Sequence, residues 1–348
     1  MTTTHSLLLI GLGNVGRSFL QVLDSQAPLL RDRYGVAFRV VGAADSGGAA
    51  VAPEGLDGAA ILAAKARGAS VATLPGVGRA GMGGLELVRS VRADVVLEGT
   101  PVNLETGQPG LDIAREALGR GMPVVLANKG PLALAYQELA ALSDLAKPGA
   151  PALRFSACVG GAMPTINLGR RDLAGARILK VEAVLNGTTQ FILRAMEAGQ
   201  SYAAVLADAK ARGLTETDPS LDVDGWDAAN KLVIVANAVL HQPATLADVK
   251  VEGISRLTPD ELRAAGACGE RIVLLCLAER GASGRFELSV RPTALPLSHP
   301  LARMAGDEMG VVYHTDISGR ASATSLERDP VPTAAAMLRD LLEITARR

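Results

Sequence analysis

Lys231 stands four residues after Asp227 in a segment, Gly213 to Leu240, that also carries Glu216, Asp218, Asp222 and Asp224. On a helix, residues i and i+4 share a face, so Asp227 and Lys231 meet. Beyond Lys231 the segment turns apolar through Leu232, Val233, Ile234, Val235, Ala236, Val239 and Leu240. A lysine among carboxylates and apolar side chains is a candidate proton carrier, because burial pushes its pKa down and carboxylates push it up. The plainer reading is a solvated helix start, with acidic residues favoured by the dipole and one ion pair.

The elements that would position such chemistry begin at the N-terminus. Ser6 to Ile10 reads as a short buried strand, Gly11-Leu12-Gly13-Asn14-Val15-Gly16 follows at once, and Arg17 to Leu23 continues at helical spacing. This is G-x-G-x-x-G between strand and helix, the context in which the spacing binds dinucleotides. The first glycine permits a tight turn, the second lets the backbone approach a pyrophosphate, and the third lets helix and strand pack closely. Asn14 and Val15 open the helix whose N–H groups face the anion. Phe38 to Ala44 reads as the second strand and ends at Asp45. An acidic residue there would accept hydrogen bonds from the adenosine ribose and disfavour a 2′-phosphate. The interval from Gly16 to Asp45 exceeds the usual ~20 residues, with the excess in Ala27 to Val36, read as an extended helix end and loop. Ser46, Gly47 and Gly48 follow Asp45 and no arginine does, so NAD is favoured over NADP.

Gly47 to Gly84 is rich in small residues, with one helix expected at Gly58 to Ala66. Ala93 to Leu97 and Pro123 to Leu126 read as further buried strands, with a helix from Gly110 to Leu118 between them. Glu98-Gly99-Thr100-Pro101 follows the first strand and Ala127-Asn128-Lys129-Gly130-Pro131 the second. Both loops would lie at the carboxyl edge of the sheet, where ligands bind in such folds. Lys129 falls where a nicotinamide ring would sit; a solvated loop lysine is its plainer reading. Further on, Leu153 to Gly161 reads as strand then turn and Val181 to Leu185 as a strand. Asn186-Gly187-Thr188-Thr189-Gln190 then opens a helix, offering N–H and hydroxyl donors to an anion or forming an ordinary turn with a threonine cap. Thr333 to Leu342 reads as an amphipathic helix after Pro330 and Pro332.

With 348 residues, 48% of them hydrophobic, the chain can build two domains of roughly 150 residues each. A net charge of −1 and a pI of 6.5 leave no footprint for nucleic acid or an anionic membrane. The three cysteines (Cys158, Cys268, Cys276) fit a reducing cytoplasm better than a disulfide framework, and the four histidines lack zinc-binding spacing. No run reaches the ~18 apolar residues of a membrane span, and the start MTTTHSLLLIGLG lacks the basic residues of a signal peptide.

Four further segments stand in a telling order: ANKGPLA at 127–133, VGGAMP at 159–164, NGTTQFIL at 186–193 and GLTETDPSLDVDGWDAANKL at 213–232. Together with the N-terminal G-x-G-x-x-G they resemble the homoserine dehydrogenase family, from about residue 6 to about residue 345. The acidic-lysine stretch and NGTT are characteristic of that family. The resemblance implies an α/β fold, with a Rossmann-type doubly wound parallel sheet for residues 1–150 and 325–348, the C-terminal helix returning to this nucleotide domain. Residues 151–324 would form an α+β domain for substrate binding and dimerisation. It implies a homodimer that interconverts L-homoserine and L-aspartate 4-semialdehyde with NAD or NADP, on the aspartate-derived route to threonine, methionine and isoleucine.

Residue by residue, the resemblance implies that Lys231 is the acid/base and Lys129 the second active-site lysine. Glu216 would hold the substrate amino group, and Asp222 and Asp227 would orient substrate and lysine. Gly187 and Thr188 would lie near the substrate carboxylate, Thr100 and Pro101 near the nicotinamide. Family members often carry an acidic ligand for a monovalent cation three residues before the valine of VGGG-like sequences. Ser156 stands there in this chain, leaving the backbone carbonyls of Val159, Gly161 and Met163 for a Na+ or K+ ion. Leu214 replaces a common tyrosine, and NGTTQ replaces NGTTN. These departures keep open a dehydrogenase of a related hydroxy amino acid or semialdehyde. A non-catalytic NAD-binding sensor is the alternative of another class, and Lys129 and Lys231 argue against it. With the sequence ending at Arg348, feedback inhibition through an appended regulatory domain is not expected.

Overall fold

A computed structural model describes residues 2–211 and 219–345 of the chain. Leu214, Glu216 and Asp218 lie outside the described residues. The chain divides into two compact units, Met1–Ala162 with Asp329–Arg348, and Met163–Arg328. The division expected near residue 150 falls later because residues 153–154 add a last strand to the first sheet.

In the first unit, β1 (Thr3–Ile10), β2 (Val36–Asp45), β3 (Gly48–Val51), β4 (Gly78–Ala80), β5 (Val95–Glu98), β6 (Val124–Leu126) and β7 (Leu153–Arg154) form one sheet in the order β4-β3-β2-β1-β5-β6-β7. From β2 through β7 in that order the strands run parallel, while β3 and β4 fold back antiparallel on the β2 edge. The chain leaves β1 first towards β2 and later returns to its other side at β5. The sheet's switch point therefore lies between β1 and β5, at whose carboxyl ends such folds bind ligands.

The helices of this unit are α1 (Asn14–Ser25), α2 (Ala27–Tyr34), α3 (Gly58–Ala66), α4 (Gly84–Ser90), α5 (Gly110–Gly119), α6 (Gly130–Ala141) and the C-terminal helix Val331–Thr345. β1 explains why they cover both faces. Its Leu7 and Leu9 share a core with Phe19 and Leu20 of α1 and with Met337, Leu341 and Ile344 of the C-terminal helix. Leu8 and Ile10 point the other way, where Gly42 abuts Leu8 and Leu87, and Gly84 abuts Ile10 and Ile113. A strand covered on both faces is apolar without alternation, as SLLLI is. Each fully buried leucine contributes on the order of 1.5–3 kcal/mol.

The residues expected to be an extended helix end and loop, 27–36, hold a separate helix, α2. Pro28 suits its first turn, and Gly35 closes it in the left-handed conformation (φ 66°). Between Gly47 and Gly84 the structure adds β3, β4 and a short 3₁₀ turn at Val71–Thr73 to the expected α3.

In the second unit, β8 (Ile178–Val184), β9 (Val249–Val251), β10 (Glu270–Arg280), β11 (Phe286–Pro296), β12 (Glu308–Thr315) and β13 (Arg320–Leu326) make a mixed sheet in the order β13-β12-β8-β10-β11-β9. All neighbours are antiparallel except β11 and β9. Its helices are α7 (Thr165–Asn167), α8 (Gly187–Glu197), α9 (Tyr202–Ala211), α10 (Ser220–Val223), α11 (Trp226–Ala238) and α12 (Pro259–Ala267). α11 is buried almost throughout, from Asp227 to Ala238 with Lys231 half-buried, and packs against β10 and β11.

Candidate active site

The three glycines of the N-terminal turn have distinct surroundings. A Cβ on Gly11, which sits at φ 95°, would lie 2.3 Å from the Gly99 carbonyl oxygen and 2.7 Å from the Thr100 nitrogen. One on Gly16 would lie 2.1 Å from the Gly11 carbonyl. One on Gly13 would meet nothing within 4 Å. Gly11 and Gly16 thus permit close packing of the turn on the β5 loop and of α1 on the turn, and the open face at Gly13 leaves room for a pyrophosphate. α1 has no side-chain cap, so its first-turn N–H groups are not claimed by a capping side chain. Asn14 is held at its Oδ1 by Arg17, whose guanidinium donates across 2.6 Å. These residues fit a dinucleotide.

Asp45 lies at the end of β2 with its side chain 5% exposed. Its two oxygens accept from the Gly47 and Val71 amides (2.9 and 3.1 Å), the Ser70 hydroxyl (2.6 Å) and Lys65 Nζ (2.7 Å). Burial works to raise the Asp45 carboxyl, but the Lys65 and Ser70 hydrogen bonds and the two amides outweigh it and hold it below its usual value. A carboxylate has about four acceptor positions, so protein groups occupy the ones expected to serve a ribose.

At the carboxyl ends of β5 and β6, the loops at 99–101 and 127–130 are joined by side chains. Thr100 donates both its amide (2.8 Å) and its hydroxyl to Glu98. Asn128 donates to the Thr100 hydroxyl oxygen across 3.2 Å and accepts the Gly130 amide across 3.0 Å. Lys129 is half-buried between them and starts α6, with Pro131 in its first turn. Burial drives the Glu98 carboxyl up to about 7 against the hydrogen bonds from Thr100 and the nearby Asn128 amide.

The second unit holds the lysine centre. Lys231 and Asp227 meet on α11 as their spacing requires, with Nζ 2.8 Å from Asp227 Oδ2. Nζ also donates to the Leu185 carbonyl (2.6 Å), just beyond β8. The Asn186 amide bridges the two aspartates, donating to Asp222 (2.7 Å) and Asp227 (2.8 Å). Gly225, left-handed at φ 87°, makes the corner that brings α10 with Asp222 beside α11 with Asp227. Burial lowers the Lys231 pKa, but Asp227, then Asp222 and Glu327, overcome it, and the net direction is upward. The competition that spacing leaves open is decided for the ammonium form.

Asn186 also caps α8, its Oδ1 accepting the Thr189 amide at 2.8 Å. The cap is therefore the asparagine, and Thr189 donates its hydroxyl to the Asn186 carbonyl instead. Gly187 and Thr188 form the first turn of this capped helix. Asn186 and Glu98 are the site residues that reading the sequence missed. The signal for Asn186 was an N-G turn directly before a helical run; Glu98 gave only its position at a strand end. Thr100 and Pro101 lie on the β5 loop, while Glu216 is outside the described residues.

Around the expected cation position, protein groups engage Ser156, Ala162 and Met163. Ser156 directs its amide (2.7 Å) and hydroxyl (2.6 Å) to Asp340 of the C-terminal helix, and Arg339 donates to the Ala162 carbonyl at 3.0 Å, beside Val159 and Gly161. In the second unit, the Met163 carbonyl accepts the Thr165 amide at 2.8 Å.

A glycine turn shaped for a dinucleotide and a lysine held by carboxylates define the class as a nicotinamide-dependent α/β oxidoreductase. The family model described as homoserine dehydrogenase matches residues 164–342. The chain is 38% identical to a homoserine dehydrogenase of Methanocaldococcus jannaschii, over 97% of this chain and 98% of that protein. It is 34% identical to an NAD(+)-dependent homoserine dehydrogenase of Pseudomonas canavaninivorans, over 98% of this chain and 96% of that one. The crystal structure of a candidate homoserine dehydrogenase from Archaeoglobus fulgidus superposes with a TM-score of 0.85 at 32% identity, covering 99% of both chains. The chain belongs to the homoserine dehydrogenase family.

Proposed function

We propose that this protein interconverts L-homoserine and L-aspartate 4-semialdehyde using a nicotinamide cofactor, bound by the first unit, while the second unit binds the amino-acid substrate. The observation that carries the reading is the Lys231–Asp227–Asn186–Asp222 cluster, built from segments inside the family match. The cofactor supplies hydride exchange at its nicotinamide ring. Gly11, Gly13, Asn14, Val15 and Gly16 bind its pyrophosphate, and Thr100, Pro101 and Lys129 attend the nicotinamide end. In the reductive direction, protonated Lys231 donates to the aldehyde oxygen and its charge stabilises the developing alkoxide. In the oxidative direction it must first lose its proton, and its raised pKa makes alkaline solution the favourable condition. Asp227 holds the ammonium in place, and Asp222 and Glu216 meet the polar end of the substrate. Gly187 and Thr188, at the start of α8, receive the substrate carboxylate.

NAD is used, in line with the name of the Pseudomonas relative. With Asp45 neutralised by Lys65, its expected repulsion of a 2′-phosphate is weakened, so NADP is also accepted. No step is routed through a Na+ or K+ ion; at the position where the family often has an acidic ligand, Ser156 gives its amide and hydroxyl to Asp340. The protein works as a cytoplasmic homodimer. The exposed Leu179 and Leu326 on the second sheet support the dimer, and the unpaired thiols of Cys158, Cys268 and Cys276 support the compartment. Among the described residues no helix is long and apolar enough to cross a membrane.

The test is absorbance at 340 nm with L-homoserine and either cofactor at alkaline pH, for the native protein and Lys231→Ala. Reduction by the native protein and its loss by about 10²–10⁴-fold in the variant, with NADH binding retained, is expected. Unchanged turnover in Lys231→Ala would remove the acid/base role. Turnover of another hydroxy amino acid but not homoserine would replace the substrate.

A further inference from the structure

Glu98 is fully buried, yet the chemistry above gives it no task. One of its oxygens accepts both the amide and the hydroxyl of Thr100. The other meets no well-aligned donor among the described residues, although Asn128 lies close enough to pull its pKa down. Gly110, the first residue of α5, comes so near that a Cβ there would lie 2.9 Å from this second oxygen and 2.6 Å from the Asn128 amide nitrogen. The Gly99–Thr100 peptide in turn presses on Gly11 of the dinucleotide turn. Glu98 thus stands behind three pieces of cofactor-facing backbone: the Gly11 turn, the loop at 99–101 and, through Thr100 and Asn128, the loop at 127–130.

We propose that Glu98 is the positioning residue of the nicotinamide end, fixing the β5 and β6 loops against each other by holding Thr100 through its amide and hydroxyl together. This rests on the cofactor reading above. It has a consequence for Thr100. The hydroxyl proton and the amide are given to Glu98 and the hydroxyl oxygen takes the Asn128 amide, so Thr100 serves the cofactor through its methyl group and its carbonyl, not as a hydroxyl donor.

The strength of the hold depends on the charge of Glu98, because hydrogen bonds to an ionised acceptor are roughly twice as strong as neutral ones. Burial places its ionisation at about 7. Its titratable neighbour is the Cys158 thiol, which donates to the Leu126 carbonyl at 3.3 Å and is pushed far up by burial and by Glu98, so it stays neutral. Lys129 acts on the same thiol from the β6 loop. The loops are therefore held more firmly above neutrality than below it.

The experiment is NADH affinity by fluorescence titration from about pH 6 to about pH 9, for the native protein, Glu98→Gln and Glu98→Ala, with thermal melts and with homoserine KM at saturating cofactor. The native affinity should tighten as pH rises through about 7. Glu98→Gln keeps an acceptor for Thr100 without a titrating charge, so its affinity should stay within about threefold of native and show no such rise. Glu98→Ala should bind NADH at least about tenfold more weakly, with homoserine KM within about twofold. Equal pH dependence in the native protein and Glu98→Gln would overturn the proposal even if Glu98→Ala failed to fold. So would a folded Glu98→Ala with native affinity. Failure of the native protein to bind NADH at any pH would overturn the cofactor reading and this inference together, whereas native binding with indifferent variants overturns this inference alone.

Discussion

Replacing Asp227 by asparagine tests the electrostatics of the lysine centre directly. The substitution keeps the side chain's shape but removes the charge 2.8 Å from Lys231 Nζ. An opposite charge within ~4–6 Å moves a pKa by about 1–3 units. Burial, which acts downward on Lys231, would remain, opposed only by Asp222 and Glu327. The Lys231 pKa should therefore fall by about 1–3 units, equivalent to about 1.4–4 kcal/mol of lost preference for the ammonium form. The assay is kcat/KM against pH in both directions, at saturating cofactor. The alkaline limb of homoserine oxidation should move to lower pH by that amount, and the pH above which reduction of the semialdehyde declines should fall with it. A limb that stays within about 0.3 unit of the native one would refute the assignment, as would limbs that move in opposite senses in the two directions. Unfolding cannot mimic the effect. A lysine whose folded pKa is raised contributes stability that is full below its unfolded value of ~10.4 and is lost only as pH rises through the folded one.

Three other outcomes follow from the contacts. Asn186→Ala removes the α8 cap and the bridge between Asp222 and Asp227, so thermal melts should show a loss of about 1–2 kcal/mol, with kcat reduced as well; a native melting curve would show that the cap is dispensable. Lys65→Ala frees part of the Asp45 carboxylate and removes a cation beside it, so the ratio of NAD to NADP turnover should rise several-fold, and a falling ratio would reverse the reasoning. Asp340 is raised by burial to about 6 from 3.8, so the folded chain holds this proton more tightly than the unfolded one; its favourable contribution is complete below about 3.8 and is lost as pH rises through about 6. Asp340→Asn should accordingly be more favourable at pH 8 than near pH 4, relative to the native chain, by on the order of 1–3 kcal/mol, and equal effects at the two pH values would exclude the titration as the cause.

What could be read from the sequence was what local spacing determines. The strand, glycine turn and helix from Thr3 to Ser25 are contiguous, and Asp227 and Lys231 share a helix face by arithmetic alone. What escaped depends on partners far along the chain. Asp45 looks like a ribose acceptor until Lys65, Ser70 and Val71 fold onto it. Ser156 looks like an empty ligand position until Asp340 arrives from the last helix. The strands β3 and β4 left no alternation because alanine and glycine make up most of them, and neither marks an inside or an outside. Glu98 was passed over because a single carboxylate at a strand end has no pattern; its burial and its hold on Thr100 exist only once β6 and α5 close around it.

The C-terminal helix carries Ala334, Met337, Leu338, Leu341 and Ile344 into the same core as Leu7, Leu9 and Phe19. During synthesis, the opening strands of the first unit leave the ribosome with that part of their interior uncovered, and it stays so while the whole of the second unit is made. The second unit can close on its own schedule. The first cannot, because its last wall is translated after the second unit. Throughout that interval the nascent chain keeps an apolar face whose covering helix is not yet made. The dinucleotide turn at Gly11 is made before the second unit and comes to rest on a finished support only after it.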